Sequence, residues 1–180
     1  MLVIGGNIKE SKFTVRSIVI LALLIALHVV LTRFLSFNQW NMRIGFGFVP
    51  VVIAAVVLGP AGAAFTGGIA DFIGAILFPI GAYFPGFTLT AASMGLVFGL
   101  FLHKKHTFIR ILLSVAVNQL ILSLLLNTFW VSVLYGSPFL GLIPARLIQC
   151  AVNIPIQITV NWFTIKSVGA FLKYRANQYN

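Results

Sequence analysis

Between Ile44 and Phe78 the chain runs for 35 residues with a single charged side chain, Asp71. As a helix rising 1.5 Å per residue this stretch would be about 52 Å long, whereas the hydrocarbon core of a bilayer is about 30 Å thick. The stretch is too long for one membrane crossing and long enough for two. Because Pro cannot continue a helix beyond its first turn, Gly59-Pro60 is the predicted break between the two crossings.

The composition extends this prediction to the whole chain. Hydrophobic residues make up 60% of the 180 residues and charged residues only 8%, with a mean hydropathy of +1.07. A soluble domain is about 25% charged, and a disordered chain has low hydrophobicity, so both classes are excluded. The apolar runs are continuous rather than alternating, which argues against a β-barrel. The net charge of +10 need not indicate nucleic acid, because membrane proteins collect Lys and Arg in cytoplasmic loops.

The runs between charges predict an all-α fold, a bundle of six transmembrane helices that forms a single domain over residues 1–180. The predicted spans are 15–33, 44–59, 61–78, 88–102, 110–134 and 146–166. Six spans place both termini on one side of the membrane. Nine cations then share that side: Lys9, Lys12, Arg16, Lys104, Lys105, Arg110, Lys166, Lys173 and Arg175. Three lie opposite, so the side of the termini is predicted to be cytoplasmic.

The three outer cations are Arg33, Arg43 and Arg146, and they run against the positive-inside trend. They either snorkel to outer headgroups or bind an anionic ligand, since guanidinium binds carboxylate bidentately. Asp71 is the only acid within a span, where a charge costs roughly 2.5–3.5 kcal/mol. We expect Asp71 to pair with Arg43 or Arg146, to contact a polar ligand, or to do both.

Two helices carry polar stripes at a spacing of four residues, which places each stripe on one helix face. In span five the stripe is Gln119, Ser123 and Asn127, followed by Trp130. In span six it is Gln149, Asn153, Gln157 and Asn161, preceded by Arg146. The deep members Gln119, Gln157 and Asn161 are assigned to hydrogen bonds between helices. The outer members, with Trp130 and Arg146, are candidates for a pocket.

The loop before span four reads FPIGAYFPGFTLTA, with two prolines, two glycines and no charge. Its Pro and Gly residues predict that no helix runs through it, and its aromatic residues predict that it packs over the mouth of the bundle. Tyr83, Phe84 and Phe87 could stack on a planar ring, or they could anchor the loop at the membrane interface.

Several kinds of chemistry lack their residues in this sequence. There is no nucleophile–base pair in the membrane, no metal-ligand cluster and no GxxxxGK[ST] phosphate loop, so we expect no catalytic site, no metal and no cofactor. Any energy from ATP must then come from another chain. Ala22 and Ala26 form a small-xxx-small pair in span one, a spacing that lets another helix approach closely.

These residues resemble the S components, the substrate-binding subunits of energy-coupling factor (ECF) vitamin transporters, and most closely the folate-specific S components. The resemblance covers nearly the whole chain and is most specific in the run DFIGAILFPIGAYFPGFTLTA from Asp71 to Ala91. The segment MRIGFGF from Met42 to Phe48 supports it. The element ALLIA from Ala22 to Ala26 matches the AxxxA pattern by which S components dock on their coupling protein.

The resemblance implies a bacterial plasma-membrane protein of six helices that binds a vitamin in a pocket open to the outside. Its partners would be a transmembrane coupling subunit of the EcfT type and two ATPase subunits, and it would deliver its ligand by toppling in the membrane. With folate as ligand, the outer arginines suit its carboxylates, and Trp130 and the aromatic loop suit its rings. Asn127, Asn153 and Asp71 suit the amide and amino edge of its pterin.

The sequence is compatible with alternative functions. The nearest is an S component for a queuosine precursor, pantothenate or riboflavin, although a neutral ligand leaves the outer arginines unexplained. A stand-alone secondary transporter could use Asp71 as a coupling carboxylate. A membrane enzyme and a purely structural protein explain fewer of the residues.

Overall fold

The computed structural model describes the backbone of residues 14–39 and 42–178, and the side chains of residues 14–36 and 45–170. The fold is predominantly helical. In chain order the elements are α1 (Val15–Arg33), β1 (Ser36–Gln39), β2 (Met42–Gly45), α2 (Phe48–Val57), α3 (Gly59–Leu77), α4 (Pro85–Leu102), α5 (Phe108–Ala116), a π-helical segment (Val117–Asn127), α6 (Thr128–Tyr135) and α7 (Phe139–Gln178). The π segment joins α5 and α6 into one continuous helical run.

Five helical runs in the described chain are long and apolar enough to cross a membrane: α1, α3, α4, Phe108–Tyr135 and Phe139–Ala170. The sixth, α2, is apolar but has only 10 residues. At 1.5 Å per residue it is about 15 Å long, half the thickness of the hydrocarbon core. The predicted span 44–59 is therefore not one continuous helix, because its first residues belong to a β-strand and α2 begins only at Phe48.

That strand is part of a hairpin that is not evident in the sequence. β1 and β2 pair antiparallel, with Ser36 opposite Gly45 and Asn38 opposite Arg43. The hairpin contacts α1 through β1 and α7 through β2. It lies at the end of the bundle where α1 finishes and α2 begins.

Proline positions explain where several helix boundaries fall. α2 ends and α3 begins at the predicted break, where Gly59 adopts a φ of 80° and Pro60 occupies the first turn of α3. α4 begins at Pro85 rather than at residue 88, because Pro suits the first helical position. α7 begins at Phe139 rather than at 146 and continues through Pro144 and Pro155. Membrane helices tolerate such prolines because neighbouring groups satisfy the freed carbonyls.

Glycines allow α3 and α4 to pack in close contact. A Cβ atom on Gly67 would collide with the backbone carbonyl of Ala91, and one on Gly95 would collide with that of Ala63. Gly99 lies equally close to the backbone of Pro60. Small residues at such crossings increase van der Waals contact, the main attraction between helices in lipid. The two helices therefore form a rigid pair against which the other elements pack.

The bundle is divided along its length into two halves of different character. The packed half is the apolar core, in which buried residues from α1 to α7 form one cluster: Leu24, Val51, Val52, Ala54, Ala55, Val56, Ala63, Phe98, Leu102, Ile111, Val115 and Ile165. The cavity half is the opposite end of the same helices, where the helices enclose an empty volume. Every long helical run contributes one end to the core and the other end to the cavity.

Candidate functional site

The cavity has a volume of about 410 Å³ and is lined by residues from α1, α2, α3, α4, the π segment, α6 and α7. This volume falls in the range of about 300–1,000 Å³ found for small-molecule sites. The hairpin also borders it through Ser36 and Gly45, and the loop between α3 and α4 borders it through Ile80 to Phe84. The apolar core lies beyond its inner end, so the site has the form of a pocket closed at one end.

The two polar stripes face each other across this cavity. Gln119, Ser123 and Asn127 line it from the π segment, and Arg146, Gln149, Asn153 and Gln157 line it from α7. The π segment has i→i+5 hydrogen bonds and a wider turn than an α-helix, a feature often found at functional sites. The four-residue spacing was the sequence signal for this wall, and both Asn127 and Asn153 line the cavity.

The deep members of the stripes depart from their prediction. Gln119 and Gln157 were assigned to hydrogen bonds between helices, but both line the cavity. The side-chain oxygens of Gln119, Asn127 and Gln157 accept no hydrogen bond from any residue that the structure describes. Asn161 is fully buried below the cavity, and neither polar atom of its side chain has a partner in the described chain. A ligand with polar edges would supply the partners that the glutamines lack.

Three charged side chains line the described part of the cavity: Arg33, Asp71 and Arg146. Arg33 Nη2 lies 4.0 Å from Asp71 Oδ1, and the two side chains are only 9% and 15% exposed. Asp71 was expected to pair with Arg43 or Arg146, but its cationic neighbour among the described side chains is Arg33, and the side chain of Arg43 lies outside the described residues. The Arg33 side chain is mostly buried and packs against Gly74 of α3. Two cations and one carboxylate leave this wall with a net positive charge.

Asp71 is also tied to the aromatic loop. The Thr88 hydroxyl donates a hydrogen bond of 3.0 Å to Asp71 Oδ2. The Tyr83 hydroxyl lies 3.4 Å from the Thr88 oxygen, and the Tyr83 ring makes an edge contact with Phe72, with centroids 6.0 Å apart. Both oxygens of the Asp71 carboxylate are thus directed towards protein groups.

Aromatic side chains form another wall. Tyr83, Phe84 and Phe87 all line the cavity, and the rings of Phe84 and Phe87 meet edge to face with centroids 6.2 Å apart. Trp130 was also predicted to face the pocket, but it does not line the cavity. Its indole packs behind Phe84 at 5.4 Å, and its Nε1 donates a 3.0 Å hydrogen bond to the Thr90 hydroxyl. Trp130 is oriented away from the cavity because α4 offers both this acceptor and, at Gly86, the space for the ring.

The remaining predicted site residues lie elsewhere. The backbone of Arg43 is in β2, but its side chain, like all of Trp40, is outside the described residues. Ala22 and Ala26 are exposed on the outer surface of α1, away from the cavity. No group of three or more His, Cys, Asp or Glu side chains that could hold a metal ion occurs in the described chain.

A helical bundle with one packed end, one hollow polar end and apolar outer surfaces defines a small-molecule-binding protein of the membrane. Comparison with known proteins specifies the class. The sequence profile of the family described as "ECF transporter, substrate-specific component" matches residues 16–162. This match spans most of the chain, which therefore belongs to the family of substrate-specific components of ECF transporters.

Individual relatives agree with this assignment. The "Folate transporter FolT" of Clostridium novyi is 37% identical over 155 residues, which cover 86% of this chain and 90% of that protein. The protein of the same name from Leuconostoc mesenteroides is 33% identical over 163 residues, covering 87% and 88%. A solved structure described as "Crystal structure of FolT bound with folic acid" superposes with a TM-score of 0.79 at 33% identity, covering 86% of this chain and 94% of that one.

Proposed function

We propose that this chain is a folate-binding substrate component: it captures folate on the outer side of the membrane and delivers it by docking on an energy-coupling module. The observation that carries the proposal is the positively charged cavity with its aromatic wall. The similarity to proteins named for folate transport selects folate among the anionic vitamins that such a cavity suits.

The chemistry of folate suits the residues of the cavity. Folate has a flat pterin, a benzoyl ring and a glutamate with two carboxylates. Arg146 binds a carboxylate, and Arg43 is proposed for the same role. Tyr83, Phe84 and Phe87 stack on the rings, with Trp130 behind Phe84 as a support. Asn127 and Asn153 read the amide and amino edge of the pterin. Asp71 takes part as a counter-ion within the wall, because both of its oxygens already face protein groups.

We further propose six membrane crossings within a single domain over residues 1–180, with α2 and the hairpin together making the second crossing. Both termini are then cytoplasmic, as the distribution of Lys and Arg favours. In this orientation the cavity half faces the outside of the plasma membrane and the packed half faces the cytoplasm. The cavity is thus positioned to take up ligand from outside.

The proposed partners are a transmembrane coupling subunit of the EcfT type and two ATPase subunits, which would supply the energy for transport. α1 is the proposed docking helix: it is the least buried of the five long apolar runs, and Ala22 and Ala26 lie on its exposed side. Small side chains there leave room for a partner helix to approach closely.

Titration of the purified, ligand-stripped protein with folic acid tests the proposed ligand. Isothermal calorimetry should show saturable one-to-one binding, and tryptophan fluorescence should change, because Trp130 contacts the cavity wall through Phe84. If the folded protein does not bind folic acid, folate is ruled out as the ligand, and the titration is repeated with pantothenate, riboflavin and a queuosine precursor.

Transport in proteoliposomes separates a substrate component from a secondary transporter with Asp71 as its coupling carboxylate. The proposal predicts that the purified chain binds folic acid but does not accumulate it under an ion gradient. Accumulation should appear only when the coupling subunit, the ATPase subunits and ATP are added. Uptake by the chain alone would favour the secondary transporter.

Docking through α1 predicts a specific separation of functions. Ala22→Trp or Ala26→Trp should abolish ATP-dependent transport while folic acid affinity stays within about twofold, because a bulky ring blocks helix approach without reaching the cavity. The matched control is Leu100→Trp, at a position on α4 that is 61% exposed, which should transport normally. Loss of ligand binding in the Ala22→Trp or Ala26→Trp variant would instead show that the exposed face of α1 takes part in ligand binding.

A further inference from the structure

Arg33 is one of the three outer arginines that the sequence predicts either to reach lipid headgroups or to bind an anion, and its position in the structure favours binding. It is the last residue of α1, its side chain is 9% exposed, and it lines the cavity. In the low-dielectric interior of a membrane protein, a buried guanidinium needs partners for both its charge and its five N–H donors.

The internal partner of Arg33 is incomplete. Its closest approach to the Asp71 carboxylate is 4.0 Å, whereas a charge-assisted N–H···O hydrogen bond is about 2.7–2.9 Å long. Arg33 Nε is buried and has no hydrogen-bond partner among the residues that the structure describes. The pair is therefore an electrostatic contact that leaves donors of the guanidinium unused.

The guanidinium occupies a position that depends on Gly74. A Cβ atom on Gly74 would lie 2.6 Å from Arg33 Nε and 3.0 Å from Nη2, so no other residue fits there without moving the arginine. Gly74 follows Asp71 by three residues on α3, and positions three apart share a helix face. The same face of α3 thus provides both the space for Arg33 and its counter-ion.

Asp71 does not depend on Arg33 alone, because its other oxygen accepts a hydrogen bond of 3.0 Å from Thr88. The carboxylate would keep this donor if another anion took its place beside the guanidinium. The described wall also carries an excess of positive charge, so an incoming carboxylate is favoured electrostatically.

We propose that Arg33 is an anion-binding residue of the cavity and that Asp71 is its exchangeable counter-ion: the carboxylate of the ligand takes over the guanidinium that Asp71 holds loosely in the empty protein. This inference rests on the proposed function for the identity of the ligand, folate, and adds a residue and a mechanism of competition to it. Asp71 then opposes ligand binding while it stabilises the empty site.

The competition predicts that two substitutions of Asp71 change the affinity for folic acid in opposite directions, and that a substitution of Arg33 lowers it. Arg33→Gln should lower the affinity for folic acid about 10- to 100-fold, which corresponds to the usual contribution of a hydrogen bond to a charged group. Asp71→Asn keeps an acceptor for Thr88 but removes the competing charge, so it should raise the affinity for folic acid about threefold or more. Asp71→Glu has a longer side chain that can close the 4.0 Å gap to Arg33, so it should lower the affinity for folic acid.

The test is calorimetric titration of the wild type and the three variants with folic acid and with 6-methylpterin, which has no carboxylate. Affinity for 6-methylpterin should stay within about twofold in all of them. Lys104→Gln, an exposed cation outside the cavity, serves as the control for a general loss of positive charge. Size-exclusion chromatography and thermal unfolding verify folding, and if Asp71→Asn does not fold, Arg33→Gln and Asp71→Glu decide the question.

Unchanged folic acid affinity in Arg33→Gln would overturn the role of Arg33. If Asp71→Asn lowers the affinity for folic acid as much as Arg33→Gln does, the proposed competition is wrong, because Asp71 would then position the arginine for the ligand. If the wild type binds pantothenate instead of folic acid, the proposed function fails, and the same variants are titrated with pantothenate and its uncharged alcohol analogue. A wild type that binds no carboxylate ligand contradicts both proposals.

Discussion

The packed half and the cavity half are built from the same helices but follow opposite rules. In the packed half, Val52, Leu102, Ile111 and Val115 are fully buried among apolar neighbours, and glycines bring α3 and α4 into contact. In the cavity half the same helices hold amides and charges around an empty volume. One half gains stability from close packing, whereas the other gives up packing to keep polar groups available.

This difference teaches that stability and affinity are separable along the length of one bundle. Buried polar groups without partners cost free energy, about 1–3 kcal/mol each. The cavity half has several such groups, including Gln119, Asn127 and Gln157. The packed half, with its close α3–α4 crossing, supplies stability that offsets this cost. Substitutions in the two halves should therefore change different measured quantities.

The largest effect is expected at Arg146, which is 7% exposed and lines the cavity. Arg146→Ala should lower the affinity for folic acid about 100-fold, since a buried charge-assisted hydrogen bond contributes up to about 3 kcal/mol. Binding of 6-methylpterin, measured by the same calorimetry, should change little. An equal loss for both ligands would contradict the assignment of Arg146 to a carboxylate.

Next in size is a change in the packed half. Gly95→Val should force α3 and α4 apart, because a side chain there collides with the backbone of Ala63. Overpacking of this kind costs about 1–3 kcal/mol, and thermal unfolding in detergent should show a midpoint lower by about 5 °C. Folic acid affinity at a temperature where the variant is folded should stay within about threefold. A large loss of affinity without a change in midpoint would contradict the division between halves.

The smallest effect provides the sharpest comparison, because it uses two neighbouring amides on one face of α7. Gln157 lines the cavity, whereas Asn161, one turn deeper, does not. Gln157→Leu and Asn161→Leu should each raise the unfolding midpoint of the ligand-free protein, since each removes buried polar atoms without partners. Only Gln157→Leu should lower the affinity for folic acid, by about tenfold.

Unfolding midpoints and calorimetric titrations on both leucine variants check this pair. If Asn161→Leu weakens folic acid as much as Gln157→Leu does, the binding site extends deeper than the cavity described here. If neither variant weakens it, the inner end of the cavity has no part in ligand recognition.

Much of the fold could be predicted from local rules. Apolar runs of known length predicted helices, and Gly59-Pro60 predicted the turn between α2 and α3. The four-residue spacings from Gln119 to Asn127 and from Gln149 to Asn153, with Arg146 three residues before Gln149, placed these side chains on common faces because helix geometry requires it. The resemblance to S components named the family correctly, since its motifs lie in the run from Asp71 to Ala91.

Other features depend on contacts between distant segments. The hairpin of β1 and β2 has no strong alternation in its sequence, so most of its residues were left in the loop between two predicted spans, and only Ile44 and Gly45 fell within a span. The sequence placed Trp130 at the pocket, but its orientation depends on the acceptor on Thr90 and the space at Gly86, which both belong to α4. Arg33 as the neighbour of Asp71 depends on Gly74, whose missing side chain matters only once α1 and α3 meet.

The sequence by itself determined the membrane-embedded helical class, the polar faces of two helices and an excess of cations at one end. These properties follow from hydropathy, helix periodicity and charge, which are local along the chain. Only the tertiary structure decided which polar groups face the cavity, which pack against protein and which cation meets Asp71. Those outcomes depend on the close approach of helices, and that approach is set by steric fit between residues far apart in sequence.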